Sequence, residues 1–370
     1  MRKLAIVIYR LGTHGPSLIR LKILTELLRR GYKVDLVMNT LDGDQSHMIP
    51  RGCNIFTLGA DRPLNFVKEL GGYLKNERPD GVIASSWPYS AASILAVRLY
   101  APKIKIIVSE HADFRTNLEK SGEFTSKDKF LIKYFSRYVY QLATKVVGVS
   151  QGVVDGLCSV TGLAKNKTVV IHNPLRAIGV DPFSLEREVT LRDQFWIPGS
   201  IKLLAIGRLV PEKNYDLMIE AFRYMDEKST LRLIVIGEGA LHTKIQRKID
   251  CYGLQEHILL VGKVSNVDQF YSKADAFLMS SSSEGFGNVI VEALSFGLPV
   301  VSTDCLSGPA EILQNGEYGI LAPVDDPEGF ASGIKQVLST KWDTESLIMR
   351  SRDFSVQKAT DQYISALFAS

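Results

Sequence analysis

Short apolar runs rich in β-branched residues alternate with helical patterns along the whole chain, the rhythm of parallel α/β sheets. In the first half this pattern predicts strands at Leu4–Tyr9, Val34–Met38, Val82–Ser85, Ile104–Ser109 and Val146–Val149. Helices fall between them, such as Pro16–Arg30 and Tyr89–Leu99. After Asn173 and Pro174 the periodicity stops, and residues 175–199, with Pro182, Pro198 and Gly199, read as a linker. The rhythm then restarts. "IKLLAIGRL" (Ile201–Leu209) repeats the form of the opening "KLAIVIYRL" (Lys3–Leu11), a buried strand running into a loop and a helix. Further strands are predicted at Leu233–Ile236, Ile258–Val261, Ala276–Met279 and Pro299–Ser302, and residues 344–370 read as helix returning to the first domain.

The expected architecture is therefore two doubly wound, Rossmann-like domains, 1–174 and 200–343, facing each other across a cleft at the C-terminal ends of both sheets. Open α/β sheets bind ligands at such ends. Composition agrees with a globular chain of about this domain count: 370 residues, 45% hydrophobic and 23% charged. The four cysteines lie far apart with no CxxC pair, which argues against a disulfide framework or zinc ribbon and for a reducing, cytoplasmic setting. The apolar run near Met1 is too short for a signal sequence or a membrane span, and no run reaches spanning length.

Charge changes the picture further. Residues 1–177 hold 26 basic and 14 acidic side chains, the remainder 18 and 26. A basic first half suits an anionic partner such as a membrane surface or a phospholipid. Nucleic acid is not expected, because the basic residues form no dense run with base-stacking aromatics. In residues 127–145 lysines and arginines alternate with aromatics. One reading lays this amphipathic helix on an anionic bilayer. The other packs Leu131, Phe135, Tyr138 and Leu142 on the sheet and leaves the cations in solvent.

Two stretches carry candidate chemistry. In "GRLVPEKN" (Gly207–Asn214), Arg208 and Lys213 sit in a loop after a strand, where a guanidinium fork and a mobile ammonium suit an anionic group. In "SSSEGFGNVIVEALSFG" (Ser281–Gly297), Glu284 and Glu292 flank two glycines at the start of an apolar helix. A helix N-terminus with unobstructed backbone N–H groups favours phosphate, unless Ser283 simply caps it. A carboxylate inside an apolar helix needs hydrogen-bond donors, from the chain or from a ligand. Vicinal sugar hydroxyls beside a phosphate supply them, as in a nucleotide sugar.

These motifs, with "VIGEG" (Val235–Gly239), "GLPVVSTDCLSGPAEIL" (Gly297–Leu313), "VGVSQG" (Val147–Gly152) and "VIHNP" (Val170–Pro174), resemble the retaining glycosyltransferases of family 4, of GT-B fold, nearly end to end. The resemblance implies transfer of a hexose or N-acetylhexosamine from a nucleoside-diphosphate sugar, UDP first and GDP next. The acceptor it suggests is a glycan, lipid-diphosphate-linked, in bacterial surface polysaccharide assembly at the inner face of the cytoplasmic membrane. It also implies that Arg208 and Lys213 neutralise the donor diphosphate, that Glu284 holds sugar hydroxyls and that Glu292 holds the ribose. Gly285, Phe286, Gly287 and Asn288 would line sugar and phosphates through their backbone, and Val264 in "GKVSN" would face the base. From the first domain, Gly12 in "LGTHGPS" would approach the diphosphate, and His111 in "SEHADF" the donor sugar.

No metal and no cofactor are expected. "LDGD" (Leu41–Asp44) has the letters of a metal-binding D-x-D but reads as a turn. "GEG" (237–239) lacks the third glycine of a dinucleotide fingerprint. His172 reads as structural. Two rival functions share the architecture, a nucleotide-sugar 2-epimerase and a non-catalytic nucleotide-sugar-binding module. Epimer formed without acceptor would favour the first, and turnover indifferent to Lys213→Ala the second.

Overall fold

The computed structural model describes residues 2–11, 16–41, 48–119, 125, 131–175, 190, 192–225 and 230–368. They form two compact units, Met1–Pro174 with Phe354–Ser370, and Leu175–Asp353.

The first unit holds a seven-stranded parallel sheet of order β3-β2-β1-β4-β5-β6-β7. Its strands are β1 (Lys3–Arg10), β2 (Lys33–Thr40), β3 (Asn54–Thr57), β4 (Gly81–Ser85), β5 (Lys105–Glu110), β6 (Lys145–Gly148) and β7 (Thr168–Val170). Alternation along β1 sorts its side chains to two cores. Leu4, Ile6 and Ile8 pack with helices Pro16–Arg29 and Val356–Phe368, while Ala5 and Val7 pack with Pro63–Glu77 and Tyr89–Tyr100. Ser150 of "VGVSQG" caps helix Gln151–Thr161, accepting from the Val153 N–H at 3.2 Å.

The second unit holds a six-stranded parallel sheet of order β10-β9-β8-β11-β12-β13. Its strands are β8 (Ile201–Ile206), β9 (Leu231–Ile236), β10 (Ile258–Gly262), β11 (Ala276–Met279), β12 (Val300–Thr303) and β13 (Ile320–Ala322). The strand order thus reverses beside β1 in one sheet and beside β8 in the other, the switch points at which doubly wound sheets take ligands.

Three expectations need correction. Residues 344–370 are two helices, and only Val356–Phe368 belongs to the first unit. Helix Thr344–Arg352 stays with the second, because Arg350 donates from Nε to the Ile312 carbonyl at 2.9 Å and from Nη2 to that of Glu311 at 2.6 Å. A cation against the exposed carbonyls of a helix end is a favourable lock. Residues 192–199 are not bare linker. Trp196 is buried edge-on to Phe270, and its indole N–H reaches the Arg232 carbonyl at 3.0 Å. The third correction concerns Leu131–Phe135, a π-helical turn, and the helix Ser136–Gln141 that follows. They bury Ser136, Val139 and Tyr140, whereas Tyr134, Phe135, Tyr138 and Leu142 are exposed. The Tyr140 hydroxyl donates to Glu110 Oε1 at 2.7 Å and its ring meets Trp87 and Phe114 edge-on, so this residue sets the rotation of the helix.

Candidate active site

At the switch point of the second sheet, the loops leaving β8 and β11 are tied together by hydrogen bonds. Ser282 N–H donates to the Glu212 carbonyl at 2.9 Å, and Ser280 Oγ to the Lys213 carbonyl at 2.9 Å. The loop after β9 joins them, with Leu209 N–H donating to the Glu238 carbonyl at 2.8 Å. That approach explains a glycine of "VIGEG", since a Cβ on Gly237 would sit 1.9 Å from the Gly207 carbonyl oxygen.

Within this frame Lys213 Nζ forms an ion pair with Glu284 Oε1, and Ser281 Oγ donates to the same oxygen at 2.8 Å. Arg208, in the same loop as Lys213, is exposed and has no carboxylate partner among the described residues. Glu284 also acts on its walls. Burial, then the Glu284 charge, pushes the Cys305 thiol up to about 12, and the same two causes raise the Tyr215 phenol. Both remain protonated at neutral pH.

The helix Asn288–Ser295 begins at Gly287, which adopts φ 100° and offers no side chain to cap it. Ser283 lies too far back to serve as the cap, so the first N–H groups of this helix are not taken by a capping side chain. Phe286 is buried, and a Cβ on Gly308 would stand 1.8 Å from its carbonyl oxygen. Glu292 is partly rather than fully buried, and the chain supplies it a donor, the Tyr271 hydroxyl at 3.1 Å from Oε2. Tyr271 in turn stacks on Phe296 at 5.3 Å between ring centroids. Val264 is half-buried in the loop after β10, beside the buried Asn266 whose side chain accepts from the Asp268 N–H at 3.1 Å.

In the first unit, His111 follows β5 directly. Its Nε2 lies 3.1 Å from Ser109 Oγ and 3.3 Å from Nη2 of the fully buried Arg20. Burial first, and then the Arg20 charge, holds the imidazole well below the ordinary histidine range. Gly12 and most of "LDGD" lie outside the described residues. His172 meets Phe354 edge-on at 5.4 Å.

The structure thus joins Lys213 to Glu284 directly and sets Arg208 in the same bonded loop. Ser281, Tyr215, Tyr271 and Arg20 went unforeseen. Only Arg20 left a signal: it shares the helical stripe of Ile23, Leu24 and Leu27, where a charge is out of place.

Residues 187–354 match the family model described as glycosyl transferases group 1, and residues 21–176 that of glycosyltransferase family 4. The chain is 28% identical to the N-acetylgalactosamine-N,N'-diacetylbacillosaminyl-diphospho-undecaprenol 4-alpha-N-acetylgalactosaminyltransferase of Campylobacter jejuni, over 91% of this chain and 90% of that one. It is 26% identical to the amylovoran biosynthesis glycosyltransferase AmsD of Erwinia amylovora, over 92% and 91%. Among solved structures, HepE of Anabaena in complex with UDP and glucose superposes with a TM-score of 0.80 at 18% identity, covering 100% of both chains. That likeness is one of fold, the GT-B architecture of two Rossmann-like domains.

Proposed function

The chain belongs to the glycosyltransferases of group 1 and family 4, and on that premise we propose a retaining, metal-independent sugar transfer with a UDP-sugar as donor. GDP is the next choice of nucleotide. The sugar is a hexose or N-acetylhexosamine, and the acceptor is a lipid-linked glycan in bacterial surface polysaccharide assembly. The relatives support the acceptor class, one by a name containing diphospho-undecaprenol and one by its part in amylovoran biosynthesis. The UDP bound to HepE supports the nucleotide.

The observation that carries this reading is the Lys213–Glu284 pair beside the exposed Arg208, which has no carboxylate partner among the described residues. A sugar diphosphate satisfies all three groups by exchange of partners. Phosphate oxygens take the ammonium and the guanidinium, while sugar hydroxyls donate to the carboxylate. As the glycosidic bond breaks, negative charge grows on the leaving diphosphate, and the two cations with the uncapped helix N-terminus stabilise it in place. The sugar passes through an oxocarbenium-like state. Glu292, held by Tyr271, accepts from the ribose, and Val264 lies against the base.

Thermal denaturation with UDP, GDP, ADP and dTDP tests the proposal. UDP should stabilise most, by about 2.7 kcal/mol at a hundred times its dissociation constant, with or without EDTA. No stabilisation by any nucleoside diphosphate would sink it. Production of an epimer from the sugar nucleotide alone would redirect it to isomerisation.

A further inference from the structure

Arg20 is fully buried on the helix Pro16–Arg29, and among the described residues no carboxylate is in contact with it, the buried Glu110 interacting with it only through space. A buried cation without a counterion is costly, so its contacts indicate what it is kept for. Its Nη2 donates to the Tyr363 hydroxyl at 2.8 Å and to Ser109 Oγ, and lies 3.3 Å from His111 Nε2. The guanidinium also rests 4.7 Å over the Tyr363 ring. Its Nε and Nη1 are buried without hydrogen-bond partners among the described residues.

A guanidinium has donors and no acceptor. An N–H on His111 Nε2 would therefore face a cationic nitrogen with no lone pair to accept it, which favours Nε2 as the unprotonated nitrogen. Ser109 agrees. Its oxygen accepts from Arg20, and its own hydrogen is available to donate to His111 Nε2 at 3.1 Å. Arg20 favours, and Ser109 accommodates, the tautomer with the ring proton on Nδ1. That Nδ1 is buried and has no partner among the described residues. We infer that Arg20 is a positioning residue that fixes His111 as the neutral, Nδ1-protonated tautomer, so that Nδ1–H donates to an oxygen of the substrate. This rests on the reading of His111 as a contact to the donor sugar.

The surrounding charges fit. Glu110 projects to the opposite face of β5, where it accepts from Tyr140 and the Trp87 N–H, and Asp113 is taken by Arg115. The cation facing His111 is Arg20, which, after burial, is what keeps the ring neutral. A neutral donor suits a site where positive charge develops on the sugar. An imidazolium there would oppose it. His111 is thus a fixed hydrogen-bond donor and not an acid or base.

Two-bond proton–nitrogen correlation spectra of the imidazole rings test this, since the chain has only 6 histidines and His111→Gln identifies the signal. The wild-type ring should show Nδ1–H and no titration between pH 5.5 and 8. Arg20→Met should shift the ring toward Nε2–H and toward titration near the ordinary value of about 6.5, and kcat/KM should gain a pH limb that the wild type lacks. An Nε2–H ring in the wild type, or one titrating near 6.5, overturns the inference. So does Arg20→Met that lowers stability while tautomer and titration stay as before. Should Arg20→Met not fold, Ser109→Ala with Tyr363→Phe loosens the same ring, and the wild-type spectrum alone already decides the tautomer. If His111→Gln transfers sugar as well as the wild type, the reading of His111 as a sugar contact falls, while the spectra still settle the role of Arg20.

Discussion

Replacing Lys213 by methionine keeps the length of the side chain and removes its charge, which leaves Glu284 with Ser281 as its remaining side-chain donor. The two partners keep only 20% and 13% of their side-chain exposure, so solvent screens the pair weakly. Opposite charges in contact at a protein surface attract by about 4 kcal/mol, most of which desolvation offsets. Losing one partner is worse than losing both, because an orphaned carboxylate keeps its desolvation cost. Lys213→Met should therefore destabilise the second unit by about 2–3 kcal/mol. Adding Glu284→Gln removes the orphaned charge at constant shape and should bring stability back to within about 1 kcal/mol of wild type. Calorimetry reads the single change as a melting temperature lower by about 5–10 °C for a unit of this size. Sugar transfer behaves differently. Loss of a charge-stabilising donor should cost about 10²–10³ in kcat for Lys213→Met, and the second change should not restore it. Recovery of stability without recovery of turnover is the signature. A double variant as unstable as the sum of the two singles, or a single variant that melts like wild type, would refute the reasoning.

Other outcomes follow from the same structure. Glu26 sits between Arg29 and Arg30, which hold its carboxyl down at about 2. A depressed carboxylate stabilises above its unfolded pKa of about 4.3 and loses that contribution as pH falls through about 2. Glu26→Gln should therefore cost about 1 kcal/mol at pH 7, discounted for the exposed Arg29, and only a small fraction of that at pH 2 in denaturant titrations. Cys305, buried and raised to about 12, should resist thiol labelling at pH 8 while the exposed Cys251 reacts, and mass spectrometry of the labelled peptides would show the reverse if Cys305 were open. The exposed aromatics Tyr134 and Tyr138 beside Lys133 and Arg137 should dock on anionic vesicles at low salt. Tyr138→Ser with Lys133→Glu should then float less than wild type, and equal flotation would count against that surface.

The central strands were legible because parallel strands buried on both faces read as continuous apolar runs. β3, β7 and β13 were missed. Each is three or four residues long, and β3 is a largely exposed edge strand, so neither length nor apolar pattern marks it. In the site, Arg208, Lys213, Glu284 and Glu292 could be named from motifs, but their partners could not. Ser281 stands three residues from Glu284 and looks like any loop serine. Tyr271 lies 21 residues from Glu292, and Tyr363 lies 343 residues from Arg20. Such contacts arise from strand order and helix rotation, which periodicity does not encode. Which face of residues 134–142 is exposed stayed open between two readings for the same reason, since the buried Tyr140, with Ser136 and Val139, decides how that helix is turned.

The return of the chain at Phe354 bears on how the protein comes into being. Everything the second unit needs is contiguous, 175–353, whereas the first needs a helix encoded after it. Leu367 lies so close over Gly81 that a Cβ there would stand 2.6 Å from it, and the Tyr363 hydroxyl accepts a hydrogen bond from Arg20 across 343 residues. Synthesis from the N-terminus usually completes the leading domain first. Here the order is inverted. The part of the β1 face that helix Val356–Phe368 covers cannot be closed until the whole of the second unit has been made, which makes that part the surface a chaperone would guard.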